Sequence, residues 1–212
     1  GVLQCLYLSH DSTTKMLGDS VVDFACFTGS VAAGQKIEKS AAGSFLGLSL
    51  ELGGKDPAYV RADAKLDVCV NDLVDGAFFN SGQSCCGIER IYVEQSLYSQ
   101  FVEAYVEQVK NYTLDNPLLA ETTLGPMVRT SAADWVRQQT SEALAKGAQA
   151  CIDPNLFANS RDNSPYLAPQ VLLDVDHSMS VMREESFGPV VGIMSVKNDE
   201  EALQLMNDSD LG

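Results

Sequence analysis

A cysteine pair and an upstream glutamate are the residues of this sequence best suited to covalent chemistry. Cys85 and Cys86 end the run NSGQSCC, and Glu51 lies in the run LELGGK. A thiol can add to a carbonyl group and hold the product as a thioester, and a carboxylate can then activate the water that releases it. These side-chain types therefore indicate acyl chemistry with a thiol nucleophile and a carboxylate base.

Both features also have an interpretation without chemistry. Adjacent cysteines can be buried thiols, and a single glutamate at the end of an apolar strand is usually a solvated terminus. The polar residues 80–83 favour an exposed loop before Cys85, and the pair Gly53-Gly54 would let the backbone bend tightly beside a ligand after Glu51. The residues alone leave both interpretations open.

Two further segments place a turn next to a predicted strand. In the run FTGS, Ser30 can cap a helix directly after Gly29, and free N–H groups at a helix start favour a pyrophosphate. Gly29 and Gly34 do not complete the Gly-x-Gly-x-x-Gly pattern of dinucleotide-binding turns, so an ordinary strand-to-helix turn is the simpler interpretation. In the run EESFGP, Glu185 would ordinarily belong to a charged turn before a strand.

Taken together and in this order, the four segments resemble the NAD(P)-dependent aldehyde dehydrogenase superfamily. The matching runs are FTGS, LELGGK, GQSCC and EESFGP. The resemblance extends over residues 1–212, whereas chains of that family are more than twice as long. We therefore expect the sequence to be an internal fragment of such an enzyme.

For the reaction, the resemblance implies oxidation of a small-molecule aldehyde to a carboxylic acid with NAD or NADP as the cofactor. The family pattern Gly-Gln-x-Cys assigns the nucleophile to Cys85 rather than Cys86. Glu51 matches the general base that directs water onto the thioester. Relatives that pass the acyl group to coenzyme A lack this glutamate, so its presence favours water as the acceptor.

For the cofactor, the resemblance implies contacts from two parts of the chain. The contacting residues before the cysteine pair are Gly29, Ser30, Gly34 and Leu52. Leu52 is expected near the nicotinamide carboxamide. Glu185 is expected at the hydroxyl groups of the nicotinamide ribose, because a carboxylate can accept two hydrogen bonds from a diol, and Phe187 is expected to pack beside that ribose.

No metal site is predicted, because neither Cys-x-x-Cys nor His-x-x-x-His spacing occurs.

The elements that position these residues follow from the periodicity of apolar side chains. In the first fifty residues, the pattern is that of a parallel sheet, with strands at residues 2–8, 21–27 and 46–50 and helices at residues 13–17 and 31–42. After Pro57, helical spacing begins near Leu66, Leu97 and Ser131, and a final helix covers residues 200–206. Strands are predicted at residues 88–93, 170–175 and 190–196, and a surface loop at residues 153–165.

The predicted fold class is α/β and aldehyde dehydrogenase-like. Residues 1–54 are predicted to be the C-terminal part of a Rossmann-type cofactor-binding domain, and residues 55–212 an α/β catalytic domain that is incomplete at its C-terminal end. Three strands are half of a dinucleotide-binding sheet, and the resemblance places the oxyanion-hole residue and the intersubunit strand of the family outside this segment. We therefore expect the fragment to be inactive alone and its parent enzyme to be a homo-oligomer.

Composition limits the partners and the compartment. With 14 Lys and Arg against 29 Asp and Glu, the net charge of −15 excludes a nucleic acid or an anionic membrane surface as the partner. No apolar run reaches the roughly 18 residues of a membrane helix. Six cysteines without a visible secretory signal predict reduced thiols in the cytoplasm or another reducing compartment, with any leader outside the sequence. Core positions are expected for Cys5, Cys26, Cys69 and Cys151, and surface positions for His10 and His177.

Three alternatives to a hydrolytic aldehyde dehydrogenase stay open. The first is a relative that transfers the acyl group to coenzyme A, which Glu51 argues against. The second is a phosphate-dependent relative. The third is a non-catalytic structural or binding protein that reuses the fold, and the presence of Glu51, Cys85 and Glu185 counts against it.

Overall fold

The predicted α/β class is confirmed, because helices and strands alternate along the chain and both sheets are built mainly from parallel strands. The computed structural model describes residues 1–19 and 21–211. The chain divides into two compact units, Gly1–Gly53 and Gly54–Gly212. The assignment of these units to a cofactor domain and a catalytic domain stays a prediction.

The first unit contains two parallel strands and two helices. Strand β1 is Phe24–Gly29 and pairs in parallel with β2, Gly47–Leu52. Helix α1 is His10–Gly18 and helix α2 is Val31–Ala41, and each begins after a serine whose hydroxyl accepts a hydrogen bond from the first turn. The helices and the second and third strands predicted for this part of the chain are thus confirmed within a few residues.

The strand predicted at residues 2–8 is wrong. Residues 1–9 form neither helix nor strand, and Val2, Leu3 and Tyr7 are more than nine-tenths exposed. A strand needs a hydrogen-bonded neighbour, and within the described part of this unit β1 and β2 pair only with each other. Cys5 lies in this unpaired segment, and Cys26 lies on the two-stranded sheet. Both are exposed, so the core positions predicted for them are wrong.

The second unit is built on a five-stranded sheet with the order β3-β4-β7-β6-β5. These strands are β3 Asp56–Val60, β4 Ile88–Glu94, β5 Gln149–Ala150, β6 Gln170–Leu173 and β7 Val190–Val196. All neighbours are parallel except β5 and β6, which are antiparallel. The helices are α3 Leu66–Phe78, α4 Tyr98–Val109, α5 Thr130–Ala145, α6 Ser180–Arg183 and α7 Asp199–Asn207.

Helices cover both faces of this sheet, as its alternating side chains require. On the inner strand β4, Ile91 belongs to a core cluster with residues of α3 and α4, whereas Tyr92 belongs to a second cluster with residues of α5, α6 and α7. Because successive residues of a strand point to opposite faces, β4 is buried along most of its length. Cys69 and Cys151, predicted in the core, are half-buried at its edge.

Strand β3 is absent from the sequence-based prediction because Pro57 interrupts its pattern. Proline has no backbone N–H, so it is tolerated in a strand mainly at the edge of a sheet. β3 is an edge strand, and its register with β4 shifts between Asp56 and Pro57. Along residues 1–19 and 21–211, no helix combines the length and the apolar character needed to cross a bilayer.

The surface position predicted for His177 is wrong, whereas His10 is exposed at the start of α1. His177 Nε2 lies 2.8 Å from the hydroxyl of buried Tyr92, and Nδ1 lies 2.6 Å from Asp208 Oδ2. A buried phenol requires a hydrogen-bond partner, and this requirement brings the imidazole inward.

Candidate active site

Cys85 lies on an exposed tight turn between α3 and β4. The Gly87 backbone N–H donates to Ser84 O at 3.1 Å, so Cys85 and Cys86 occupy the two central positions of a β-turn. Both thiols are exposed. Cys86 Sγ lies 3.3 Å from Ser84 Oγ, whereas the Cys85 thiol has no hydrogen-bond partner in the part of the chain that is described. The exposed loop predicted at residues 80–83 is only partly right, because Ser81 and Gly82 are buried while the two cysteines that follow are exposed. The role of Cys85 stays a prediction.

The turn is preceded by three consecutive residues with left-handed backbone. Asn80, Ser81 and Gly82 have φ values of 50°, 59° and 71°. Such a conformation costs a residue with a Cβ roughly 1–2 kcal/mol, so it persists only where the surroundings support it. Ser81 Oγ donates to Gly125 O at 2.7 Å, and a Cβ at position 82 would lie 2.2 Å from Gly188 O. The turn therefore packs directly against the backbone at Gly188.

Gln83 joins the cysteine turn to a neighbouring segment. Its Nε2 atom donates to Asn80 O at 3.1 Å, and its Oε1 atom accepts from the Val128 backbone N–H at 2.7 Å. An open depression of about 450 Å³ lies beside these contacts. It is lined by Asn80, Gln83, Pro126, Val128 and Phe187. The segment before Cys85 and the segment containing Phe187 thus share one concave surface.

Glu185 is half-buried, and its surroundings shift the pKa of its carboxyl group in opposite directions. Burial, and next the nearby Glu89 carboxylate, raise the pKa of Glu185, against a hydrogen bond from the Gly54 backbone N–H that favours the ionised form. From helix α5, Trp135 Nε1 donates to the Glu185 carbonyl oxygen at 3.0 Å. Phe187 is 40% exposed and has a φ of 48°. The backbone of this segment is therefore held while parts of both side chains stay accessible.

A buried ion pair lies beneath the same segment. Lys55 Nζ lies 2.5 Å from Glu89 Oε2, and the two residues are 0% and 4% exposed. Burial lowers the pKa of Lys55, and the Glu89 carboxylate opposes that effect. Lys55 also donates to Ser186 Oγ at 3.1 Å. Sequence reasoning missed both charged residues, although a Glu-Arg pair inside the apolar run IERIYV would have indicated buried charges that need partners.

In the first unit, the predicted cofactor residues lie around the β1–α2 turn. Ser30 Oγ caps α2 by accepting from the Ala33 N–H at 3.3 Å, and the first turn carries no acidic residue. A Cβ added at Gly34 would lie 2.6 Å from Leu52 Cδ2, so helix and strand approach closely there. Gly29 ends β1 and is paired with Leu52. This helix start, free of carboxylates, fits an anionic group such as a pyrophosphate.

Glu51 precedes Leu52 at the end of β2 and is exposed there. Its β1 neighbour is Thr28. The second unit brings the Cys85 turn together with the segment of Glu185 and Phe187, and the first unit brings together Gly29, Ser30, Gly34 and Leu52.

The family follows from comparison with known proteins. The sequence model of the aldehyde dehydrogenase family matches residues 1–212. The chain belongs to the aldehyde dehydrogenase family. The family predicted from the four sequence motifs is therefore confirmed.

Similar aldehyde dehydrogenases are longer proteins. Lactaldehyde dehydrogenase of Escherichia coli is 37% identical over 199 residues, which are 93% of this chain and 41% of that protein. The succinate semialdehyde dehydrogenase [NAD(P)+] Sad of the same organism is 36% identical over 212 residues, which are 100% of this chain and 45% of that protein. The chain thus spans less than half the length of these relatives.

Solved structures of aldehyde dehydrogenases share the fold. The crystal structure of lactaldehyde dehydrogenase from Escherichia coli has a TM-score of 0.87 at 37% identity, covering 93% of this chain and 41% of that chain. Betaine aldehyde dehydrogenase from Staphylococcus aureus, solved in complex with NAD+, has a TM-score of 0.85 at 33% identity, covering 92% of this chain and 39% of that chain. These values confirm the predicted aldehyde dehydrogenase-like fold.

Proposed function

We propose that this member of the aldehyde dehydrogenase family contributes the nucleophile, the base and part of the cofactor site to an enzyme that oxidises an aldehyde to a carboxylic acid with NAD or NADP. The observation that carries the proposal is the packing of the Cys85 turn onto the segment of Glu185 and Phe187. This packing is so close that a Cβ on Gly82 would lie 2.2 Å from Gly188 O. A nucleophile and a ribose contact of one reaction need such proximity.

In the proposed reaction, the Cys85 thiolate adds to the aldehyde carbon, and the electron pair of the carbonyl π bond moves to oxygen. When bound, NAD or NADP supplies the acceptor for the hydride that leaves this carbon, which turns the adduct into a thioester. Glu51 then takes a proton from the water that attacks the thioester carbon. The carbon–sulfur bond breaks with its electron pair going to sulfur, the carboxylic acid leaves, and Cys85 is again a thiolate. Glu51 then releases its proton to solvent and is again a carboxylate.

The residues of the proposed cofactor site have the chemistry that the cofactor requires. The first turn of α2 carries no acidic residue, and its backbone N–H groups other than that of Ala33, which donates to Ser30 Oγ, suit a pyrophosphate. The Glu185 carboxylate can accept two hydrogen bonds from ribose hydroxyls. Because this carboxylate is already half-buried, part of its conformational freedom is lost before the cofactor binds.

The proposal extends to the acceptor, the compartment and the assembly. Glu51 favours water as the acceptor, because thioester hydrolysis needs a base to activate water, and relatives that transfer to coenzyme A lack this glutamate. The proposal places the enzyme in a reducing compartment such as the cytoplasm, where its cysteine thiols stay reduced. The active enzyme is proposed to be a homo-oligomer of a longer chain that contains this segment.

The experiment is a cofactor-reduction assay with a family-length enzyme that contains these residues. We expect aldehyde-dependent absorbance of NADH or NADPH without added coenzyme A or phosphate. Cys85→Ser should abolish nearly all of it, because a hydroxyl is hardly ionised at neutral pH, and the matched Cys86→Ser variant should retain most of it. A requirement for coenzyme A or phosphate would favour the corresponding alternative. No reduction with any aldehyde would favour a non-catalytic protein.

A further inference from the structure

Glu89 stands out among the buried residues because the backbone brings it to an irregular place in the sheet. On β3, Asp56 pairs with Ile88 of β4 and the next residue, Pro57, pairs with Arg90. Glu89 is therefore the extra residue of a β-bulge. Bulges of this kind redirect a side chain out of the regular alternation and are frequent beside active sites.

The redirected carboxylate of Glu89 accepts hydrogen bonds from the segment that carries Glu185. The Ser186 backbone N–H donates to Glu89 Oε2 at 2.8 Å, and the Phe187 backbone N–H donates to Oε1 at 2.9 Å. Lys55 Nζ donates to Oε2. All these partners are donors, and Glu89 is 4% exposed, so the carboxylate has exchanged its water for these groups.

Two consecutive N–H groups can converge on one acceptor only if the backbone between them is curved. Directly after these two groups, Phe187 has a φ of 48°, an unfavourable conformation for a large aromatic residue. The backbone on the other side is fixed by helix α5, where Gln139 Nε2 donates to Glu184 O at 3.2 Å and Trp135 Nε1 donates to Glu185 O at 3.0 Å. Glu185 thus lies between two sets of hydrogen bonds.

We infer that Glu89 is a positioning residue for the nicotinamide-ribose contact: its carboxylate, with its charge balanced by Lys55, fixes the backbone of Ser186 and Phe187 and thereby the direction of the Glu185 side chain. The inference rests on the proposed function of Glu185. Glu89 touches neither substrate nor cofactor in this proposal, and acts only through the backbone of residues 185–187.

A carboxylate at this position cannot be replaced by its closest analogues. Gln has the same shape, but its amide group would present N–H donors to the N–H groups of Ser186 and Phe187. Asp is shorter by one methylene, roughly 1.5 Å, and from the same strand position it would not reach both amides. Glu89→Gln therefore removes one acceptor atom at constant volume, which makes it the cleanest perturbation.

The first test is amide hydrogen exchange in the 212-residue chain. Because a hydrogen bond to a charged group is lost, Glu89→Gln should speed exchange at Ser186 and Phe187 by about 10-fold or more relative to amides of β7. Glu94→Gln is the matched control, since Glu94 lies on the same strand and, within residues 1–19 and 21–211, its side chain forms hydrogen bonds only with Ser96. Unchanged exchange at both amides would overturn the inference, whatever the enzymatic activity.

A second variant distinguishes local loss of the hydrogen bonds at Ser186 and Phe187 from unfolding of the whole unit. If Glu89→Gln unfolds the unit because Lys55 is left as an unpaired buried charge, Glu89→Gln with Lys55→Met removes both charges and should restore the fold without restoring the acceptor. Trp135, the single tryptophan of the chain, bonds to Glu185 O, so its emission reports on this segment. A folded double variant with native emission and slow exchange would contradict the inference.

Kinetics of a family-length enzyme then distinguish the inference from the proposed function. We expect Glu89→Gln to slow hydride transfer, seen as a larger isotope effect with deuterated aldehyde, while alkylation of Cys85 by iodoacetamide keeps its rate. Fast exchange at Ser186 with an unchanged isotope effect would support positioning by Glu89 but overturn the cofactor role of Glu185. Slow exchange with altered kinetics would overturn positioning and leave the role of Glu185 intact.

Discussion

Gly82 allows the sharpest prediction about how the cysteine turn is built. Its φ is 71°, and an added Cβ would lie 2.2 Å from the carbonyl oxygen of Gly188. Gly147 is a natural control in the same unit, because its φ is 108° but, among the described residues other than its chain neighbours, no atom lies within 4 Å of an added Cβ. Alanine has an unfavourable positive φ at both positions, and at position 82 it also clashes with the Gly188 carbonyl oxygen.

The expected magnitudes follow from these two contributions. A Cβ in left-handed backbone costs roughly 1–2 kcal/mol, and this should be the whole effect of Gly147→Ala. In Gly82→Ala, the Gly188 carbonyl must also move by about 1 Å to reach an ordinary carbon–oxygen contact, and overpacking of this kind adds about 1–3 kcal/mol. We therefore expect Gly82→Ala to destabilise the second unit by about 2–5 kcal/mol.

Urea unfolding followed by Trp135 emission measures this free energy, because the only tryptophan of the chain lies in the second unit. A second readout is the rate at which iodoacetamide alkylates Cys85, which should change in Gly82→Ala and stay constant in Gly147→Ala. Equal destabilisation by the two substitutions, with unchanged alkylation, would refute the idea that the cysteine turn is seated on the backbone at Gly188.

Three further predictions concern the proposed chemistry. In a family-length enzyme, Glu51→Gln should slow thioester release by about 10²- to 10⁴-fold, so stopped-flow absorbance should show a burst of reduced cofactor and then a stall; an undiminished steady rate would place the base elsewhere. Burial raises the pKa of Glu185 from its ordinary value of 4.5, so folding favours the protonated carboxyl group. The protonated group therefore contributes stability at low pH, and this contribution is lost as the pH rises through the pKa of the folded state. Glu185→Gln should therefore gain stability relative to the parent chain at neutral pH and not below pH 4.5, as urea unfolding can show against the exposed control Glu184→Gln; an equal effect at both pH values would contradict this. The 212-residue chain alone should not turn over aldehydes, because the described sheet of its first unit has two strands and a dinucleotide-binding sheet has about six; steady turnover would refute this.

The elements that the sequence predicted well are those whose pattern is local. The periodic spacing that begins at Leu66 and Leu97 gives α3 and α4, and the apolar run at residues 190–196 gives β7. Local patterns were insufficient where a distant neighbour decides the outcome. Residues 2–8 form an apolar run like that of a buried strand but have no pairing partner among the described residues. Pro57 lies in a strand because the edge position tolerates it.

The candidate site shows the same difference between local patterns and long-range contacts. The family resemblance indicated the residues proposed to touch the reactants, including Cys85 and Glu185, because each lies in a short motif that can be read locally. The residues that hold them were missed. Glu89 reaches Ser186 and Phe187 across almost one hundred positions of sequence, and only the bulge between β3 and β4 explains why its carboxylate points there. Such long-range contacts leave no periodic signal in a single sequence.

The location of the acyl group during turnover tests the proposed nucleophile most directly. A family-length enzyme with Glu51→Gln, which should release the acyl group slowly, is mixed with aldehyde and NAD or NADP, quenched in acid within the first turnover, and digested for peptide mass spectrometry. We predict an added acyl mass on the sulfur of Cys85, equal in amount to the cofactor reduced, and none on Cys86. Acyl mass on Cys86, or reduced cofactor with no acylated cysteine, would contradict the proposed mechanism.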